Sequence, residues 1–445
     1  MVDEMIVNAM CKLRNRLFWF LDAVKGGTIR KAYQELKTFD AADSGSSVLA
    51  EHQKSALQML LPHAINTTKF YEKIQSARLS EFPIVDKNII RSQQKDFMSN
   101  MYDRSDLFTM TTSGSTGTPF LCYQNISKKN RVNAEVIYYS EKAGYSVGGN
   151  LIYLRAITKE NYKSKLHQWI QNETLLDICN LDDQRIENIL LKINEDSNSS
   201  SMLLAYGSTF EALKDYFHRK GISSVLKSTV SGVVSGAEML SDATRDTISK
   251  VFNCRCFSRY SNQENGIIGQ DDMENNVFII NETHYIVEIF KMDVNELAAE
   301  GEIGRIVITD LYNHAMPMIR YDTGDIGSIV YIERNGVNKK TITNFGGRRV
   351  DMVFDSYGNR LSPHKISNNF WSFPEIKQFQ LIQESKIQYT LRLNVEGAFI
   401  RKNELKELLQ RLLGDEAVLN IEMVEEIPVL ASGKRKYIVN NMNKE

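Results

Sequence analysis

Five cysteines in 445 residues are too few, and too oddly numbered, to build a disulfide framework. Cys11, Cys122, Cys179, Cys254 and Cys256 are therefore expected to be reduced thiols of a cytoplasmic protein. Cys254-x-Cys256 has the spacing of neither a zinc knuckle nor a thioredoxin-like pair and reads as two ordinary positions near a strand. Histidine is also sparse: the seven are scattered, without HExxH or paired Cys–His spacing, which argues against catalytic zinc. Basic charge is not in surplus. The chain carries 54 Lys and Arg against 55 Asp and Glu, a net charge of −1, so neither nucleic acid nor an anionic membrane is expected as principal partner. A long hydrophobic run is missing too. The apolar burst Leu17–Val24 is broken by Asp22, is too short to span a bilayer and is followed by no small-residue cleavage site. It predicts a helix docked on the body, with peripheral membrane contact as the second reading. Internal repeats and long low-complexity tracts are lacking as well.

The residues present have an ordinary globular balance, 42% hydrophobic and 24% charged, over a length that suits two to three domains. Up to about residue 105 the pattern is mainly helical. "EHQKSALQMLLPHAINTTKFYEKI" spaces its apolar side chains by three and four, as an amphipathic helix does. Beyond Thr118-Pro119, short buried strands ("NLIYLRAI", "SMLLAYGS", "KSTVSGVVSG") alternate with helices ("STFEALKDYFHRKG", "SDATRDTISKVFN"). That alternation predicts an α/β fold, a parallel or mixed sheet covered by helices. "INEDSNSSS" reads as a loop. From Val277 to Val330 strand signals crowd together around turn glycines, predicting a mostly antiparallel β subdomain. The chain is expected to change domain near Gly346–Asp351, leaving a small α+β domain at the end. The expected division is 1–105, a helical leading segment; 106–347, the core of the large domain; and 348–445, the small domain.

One run concentrates hydroxyls and glycines: "FTMTTSGSTGTPF", Phe108–Phe120. A phosphate cradle needs converging backbone N–H groups, and glycine lets the backbone approach closely. A Walker loop adds a lysine after its last glycine. Here Thr118-Pro119 follows Gly117, so that reading fails. Taken alone, the run reads as a surface loop, since Ser/Thr/Gly runs are common punctuation.

It does not stand alone. "TSGSTGTP" resembles the pyrophosphate loop of the adenylate-forming enzymes, and more narrowly that of the phenylacetate–CoA ligase and CapK branch. In order along the chain there follow "SGAEML" (Ser235–Leu240), "RYSNQENG" (Arg259–Gly266), "NHAMPMIRYDTGDIG" (Asn313–Gly327), "GGRRVDMV" and "IPVLASGKRKYIV" (Ile427–Val439). Upstream, "LSEFPIVDKNIIRSQQKDFMS" resembles the branch's "lPi..K..ir" pattern. One motif is degraded: Ser261 replaces glycine and Gln263 replaces Ser/Thr, although Tyr260 and Glu264 keep the aromatic and the acid.

The resemblance implies the adenylate-forming enzyme fold, with a large α/β domain carrying a β subdomain and a small mobile C-terminal α+β domain. It also implies ATP and Mg²⁺ as cofactors, with coenzyme A as a candidate co-substrate. Thr112, Ser113, Gly114, Ser115, Thr116, Gly117 and Thr118 would hold the β- and γ-phosphates. Glu264, with Thr116, would hold Mg²⁺. Lys434 would bridge carboxylate and α-phosphate, with Lys436 the near alternative. Asp325 would take the ribose hydroxyls and Arg348 would reach ribose or phosphate. Tyr260, beside Ser261, would stack on adenine, while Gly236, Ala237 and Glu238 line the edge of the base. The acyl pocket would gather Tyr206, Ser235, Gln263 and Gly266. Zinc is not expected, because "GQDDMENNVFIINETHY" offers His284 but no cysteine.

The implied chemistry is activation of a small aromatic or polar carboxylic acid, or an amino acid, as acyl-AMP, followed by transfer to a thiol or amine. Partners are then a small-molecule acid and an acceptor, with no nucleic acid and no integral membrane segment, in a monomer or homodimer. Two rival readings are a nucleotide-binding module that has lost catalysis and a membrane-associated polysaccharide assembly protein.

Overall fold

The structure is a computed structural model that describes residues 2–112, 120–157, 162–179, 181–195, 201–222, 230–238, 240–271, 277–348, 352–361, 366, 369–370, 373, 375–395, 397–428 and 436–442. Two helices, α1 (Val2–Val24) and α2 (Thr28–Asp40), turn on Gly26 and Gly27, both at positive φ. Asp22 is buried there: its carboxylate accepts hydrogen bonds from Ile29 N at 3.1 Å and Arg30 N at 2.9 Å. The acid that breaks the apolar burst thus caps the next helix.

The third helix, α3 (Ser47–Thr67), starts on a Ser46 cap. It stops short of the expected "KFYEKI", because Thr68 is extended and its hydroxyl donates to Ala64 O at 2.8 Å. The short α4 (Lys87–Ser92) opens on Asp86, whose side chain accepts from Asn88 N and Ile89 N. A hairpin follows, β1 (Phe108–Thr112) with β2 (Phe120–Gln124), paired Thr112 to Phe120 at its open end. The glycine–hydroxyl run 113–119 connects these strands and lies outside the described residues. Helix α5 (Ile126–Lys142) then packs on α2 through Ala134, Ile137 and Tyr138.

The alternating segment forms as expected: β3 (Asn150–Arg155), α6 (Lys165–Gln171), β4 (Glu173–Asp177), α7 (Asp183–Glu195), β5 (Ser201–Tyr206), α8 (Gly207–Lys220), β6 (Val230–Gly236), α9 (Asp242–Phe252) and β7 (Cys256–Asn262). These strands pair in parallel in the order β4–β3–β5–β6–β7. Near-continuous apolar strands such as Val233–Val234 are what burial on both faces requires.

The β-rich stretch adds β8 (Gly266–Gln270), β9 (Phe278–Ile280), β10 (Tyr285–Phe290), β11 (Gly304–Asp310), β12 (Tyr321–Arg334) and β13 (Val337–Arg348). They are antiparallel, as expected. Their sheet is not separate, however. The β7–β8 pairing joins them to the parallel strands as one 11-stranded sheet, ordered β10–β11–β12–β13–β9–β8–β7–β6–β5–β3–β4.

The last part has its own core. After the pair β14 (Val353–Phe354) and β15 (Arg360–Leu361), strands β16 (Ile376–Gln383), β17 (Gln388–Val395), β18 (Val418–Met423) and β19 (Ile438–Asn440) form a four-stranded sheet. Helix α10 (Lys402–Leu413) buries Leu405, Leu409 and Leu413 against it. Among the described residues, two side-chain contacts link this part to the body of the large sheet. Arg360 pairs with Asp293 at 2.5 Å, and the Tyr437 hydroxyl donates to Glu211 on α8 at 2.6 Å.

Candidate active site

In open α/β sheets, ligands bind beyond the carboxyl ends of the parallel strands, where the chain leaves each strand and backbone groups are free to point at a ligand. Here the ends of β5, β6 and β7 lie side by side, in register Tyr206 to Gly236 to Arg259. Sequence motifs far apart therefore empty into one place: Tyr206, Ser235–Glu238 and Ser261–Glu264.

At the end of β6, Ala237 is exposed and held at φ 64, a left-handed conformation that costs a non-glycine residue about 1 kcal/mol or more. The strained turn sends the Glu238 carboxylate to Ser208 N, 2.7 Å away in the first turn of α8. There it meets the positive end of the helix. Glu238 thus acts as a cap on α8. Ser235 is fully buried between β5 and β7, and its Oγ has no hydrogen-bond partner among the described residues.

The turn from β7 to β8 is fastened on every side. Asn262 Oδ1 accepts from Asn265 N at 2.7 Å, Gln124 Nε2 donates to Glu264 O at 3.1 Å, and the Tyr285 hydroxyl donates to Asn265 O at 2.7 Å. Glu135 of α5 accepts from Ile267 N at 2.8 Å. Gly266, at φ +123, is the point of closest approach: a Cβ there would meet Glu135 Oε2 at 2.3 Å and the Tyr285 hydroxyl at 2.9 Å. Its surroundings are this buried scaffold. Gln263 is exposed at the apex of the turn, and Ser261 is half-buried.

The scaffold is charged throughout. Lys128, Glu135, His284, Tyr285 and Asp310 are each 0% exposed. Lys128 Nζ lies 2.8 Å from Asp310 and 3.0 Å from the Tyr285 hydroxyl. His284 Nδ1 lies 2.7 Å from Glu135 Oε1, and its Nε2 faces Arg131 at 3.1 Å. Burial, with Arg131 and Lys128 nearby, pushes the imidazole well below its usual pKa. It is therefore neutral, with Nδ1–H donating to the carboxylate and Nε2 accepting from the guanidinium.

The turn presents Glu264, whose side chain is 1% exposed. Its Oε1 lies 2.6 Å from Lys87 Nζ and accepts from the Tyr321 hydroxyl at 3.1 Å. A buried carboxylate needs such partners. Lys87 itself stands 5.7 Å from the Phe120 ring, at the residue where the 113–119 connection re-enters its hairpin. Sequence reasoning assigned no role to Lys87 or Tyr321. The signal was there, in "PIVDKNII" and "MIRYDTGD", but only the fold brings both to Glu264.

Asp325 comes from β12, the strand that also supplies Tyr321. Its Oδ2 accepts from the Tyr260 hydroxyl at 2.8 Å, and its backbone N donates to Thr323 Oγ1 at 3.1 Å. The Tyr260 ring is buried, its centroid 4.7 Å from that of Phe345. Burial and Asp325 raise its hydroxyl pKa well above the usual value, and Glu264 adds to the effect. Tyr321 responds in the same direction to burial and Glu264 first, and to Asp325 as well. The two carboxylates therefore act on one pair of phenols and share one region. Arg348 pairs with Asp325 through the β12–β13 ladder. Its side chain, that of Thr112, and residues Ser113, Gly114, Ser115, Thr116, Gly117, Thr118 and Lys434 lie outside the described residues. Lys436 contributes a backbone carbonyl to Gln380 Nε2 at 2.8 Å, just before Tyr437 touches α8.

The mixed sheet, with a small second sheet following it in the chain, is the fold of the adenylate-forming CoA ligases. A 2-hydroxyisobutyryl-CoA ligase, solved in a postadenylation state with 2-HIB-AMP, matches at a TM-score of 0.72 and 15% identity, covering 90% of this chain and 92% of that one. The chain is a homologue of CapK and of phenylacetate–coenzyme A ligases. It is 22% identical to Protein CapK of Staphylococcus aureus over 98% of this chain and 97% of that protein. A phenylacetate–coenzyme A ligase of Thermus thermophilus is 26% identical over 47% of each chain. Residues 353–441 match the CapK C-terminal domain.

Proposed function

We propose that this protein is an AMP-forming ligase that activates a carboxylic acid with ATP and transfers the acyl group to a thiol or amine. The observation that carries the reading is the convergence of Glu264, Lys87, Tyr321, Tyr260 and Asp325 around the carboxyl end of β7.

A carboxylate is a poor acyl donor because its leaving group would be oxide or hydroxide. When its oxygen attacks the α-phosphorus, an O–P bond forms, the bridging bond to the β-phosphate breaks, and pyrophosphate departs. The resulting acyl-AMP has a stable leaving group. Negative charge gathers on the phosphates in that step, so preorganised donors and cations lower the barrier. Lys87 supplies a cation beside the hairpin, and Glu264 behind it is an oxygen donor suited to Mg²⁺. Bound Mg²⁺ would neutralise phosphate charge there. Among the described residues no cluster of three metal-ligating side chains is present, so Glu264 would supply one oxygen ligand, and phosphate oxygens and water the others. Asp325, oriented by Tyr260, is placed to accept from ribose hydroxyls. Lys434 would serve the reacting carboxylate and α-phosphate when the small domain swings in. The acceptor's sulfur or nitrogen then attacks the acyl carbon and AMP leaves. Coenzyme A is the acceptor named for the related ligases, which makes it the first to try.

The acid is expected to be small and aromatic or polar, because Tyr206 and the exposed Gln263 turn offer one phenol and small polar groups. Cytoplasmic location follows for an enzyme using ATP and reduced thiols. Isotope exchange between pyrophosphate and ATP, run over a panel of carboxylic acids with Mg²⁺, tests the reading. Acid-dependent exchange is the expected result; ATP binding without exchange for any acid would leave a nucleotide-binding module instead.

A further inference from the structure

The balanced charge of the whole chain hides a local imbalance. Along α1, Leu13, Leu17, Phe20, Leu21 and Val24 recur at helical spacing within an arc of about 100°, and all are between 47% and 70% exposed. The opposite face is already docked. Asn15 Nδ2 donates to Val147 O at 3.0 Å, Phe18 and Trp19 pack in the α2–α5 core, and α1 runs so close to Gly148 that a Cβ there would meet Cys11 O at 2.4 Å. The apolar stripe is therefore not a face turned away from its partner by accident of an undocked helix.

It is continued by α6. Leu166, Trp169 and Ile170 are between 55% and 65% exposed. Arg14 of α1 donates to Trp169 O at 3.1 Å and lies 5.5 Å from the ring, so the two helices present one patch. Its rim is basic. Arg14 and Arg16 fall at the two edges of the stripe by helical angle, with Lys12 beyond. Residues 5–21 contain three basic and no acidic side chains, and α6 adds Lys165, the neighbouring Lys163 being paired with Glu173. The acid at 22 is turned inward.

We propose that this α1–α6 face docks the protein peripherally on an anionic lipid surface. Leu17, Phe20 and Trp169 would enter the headgroup–acyl boundary, and Lys12, Arg14 and Arg16 would meet lipid phosphates. A second copy of the chain suits the face less well, because two-fold pairing would set these cationic rims against each other. The inference does not depend on the ligase reading.

Flotation of the full chain with phosphatidylcholine vesicles, with and without phosphatidylglycerol, is the test. The wild type is expected to float with the phosphatidylglycerol vesicles and to be released by raised salt. Leu17→Glu with Phe20→Glu should cut the floated fraction at least about tenfold while leaving the melting temperature unchanged. Lys12→Gln with Arg16→Gln should weaken binding to the anionic vesicles alone. The proposal is overturned if the wild type stays at the bottom with both vesicles, or if the Glu pair floats as well as the wild type. It is equally overturned if the protein is a dimer that the Glu pair splits and vesicles are not bound.

Discussion

Lys87 Nζ lies 2.6 Å from Glu264 Oε1, joining the start of α4 to the β7–β8 turn. On the proposed reading, the pair supplies a cation and an acid to a nucleotide's phosphates and their metal. Replacing Lys87 with Met keeps the length of the side chain and removes the charge. Pyrophosphate exchange is expected to fall by about a hundredfold, the scale for losing one preorganised electrostatic contact. The melting-temperature gain from added Mg²⁺ should become larger, because Glu264 has lost its resident cation. An unchanged Mg²⁺ response would remove Glu264 from the metal site.

Lys434 calls for a complementary experiment. Lys434→Ala should abolish adenylate formation, by at least about a hundredfold, with ATP binding measured by calorimetry nearly as in the wild type. Lys436→Ala should leave both close to wild type. Equal exchange rates in Lys434→Ala and wild type would exclude this lysine from the first step.

Asp325 and Tyr260 form a second pair, at 2.8 Å. Asp325→Asn replaces a charged acceptor of ribose hydroxyls by a neutral one, and a charged hydrogen bond contributes about 1.5–3 kcal/mol. The KM for ATP should rise by roughly tenfold to a hundredfold. Tyr260→Phe, which only frees the orientation of the carboxylate, should raise it by less. If the two variants behave alike, the phenol rather than the carboxylate serves the nucleotide.

Gly266 tests the scaffold under Glu264. An alanine there combines φ +123 with a Cβ placed 2.3 Å from Glu135 Oε2, an oxygen fixed by Ile267 N. Gly266→Ala should lower unfolding free energy by at least about 2 kcal/mol, read by urea denaturation. Exchange activity should fall with it, as the turn carrying Glu264 shifts. Wild-type stability would mean the turn tolerates the methyl group.

The buried His284 gives stability a pH dependence with a defined sign. Its folded pKa is depressed by burial and by Arg131 and Lys128, whereas the unfolded imidazole titrates near about 6.5. The unfolded chain takes up a proton first. Its contribution is therefore complete above about pH 6.5 and is lost as pH falls below that value. Glu135, whose pKa is raised chiefly by burial, acts in the opposite direction nearer the ordinary carboxylate range. His52 and His314 are depressed as well and add to the histidine effect. Comparing melting temperatures between about pH 7 and 5.5, His284→Gln should lose less on acidification than the wild type does. Parallel curves would show that His284 does not titrate differently in the two states.

Much of the architecture was legible in the chain because it is local. The runs read as strands at Asn150, Ser201 and Val230 and the helices after two of them are in place, since apolar periodicity acts within a few residues, as does the Ser241 hydroxyl that caps α9, whereas α8 takes its cap from the distant Glu238. The end of α3 was overrun because apolar spacing continued past Thr67, while a single Thr68 hydroxyl turned the backbone out of the helix. The β-rich stretch read correctly as antiparallel, yet its continuity with the parallel strands depends on β7 pairing with β8, a tertiary fact.

The site divides along the same line. The sequence by itself determined which chemical types recur, and in what order: a glycine–hydroxyl run, the acids Glu264 and Asp325, and a late lysine. Only the tertiary structure decided the partnerships: Lys87 on Glu264, Tyr260 on Asp325, and Glu135 pressed into the space left by Gly266. Hydrogen bonds and ion pairs act over about 3 Å, and the segments that meet at that distance are chosen by strand order and helix docking, which no spacing along the chain encodes.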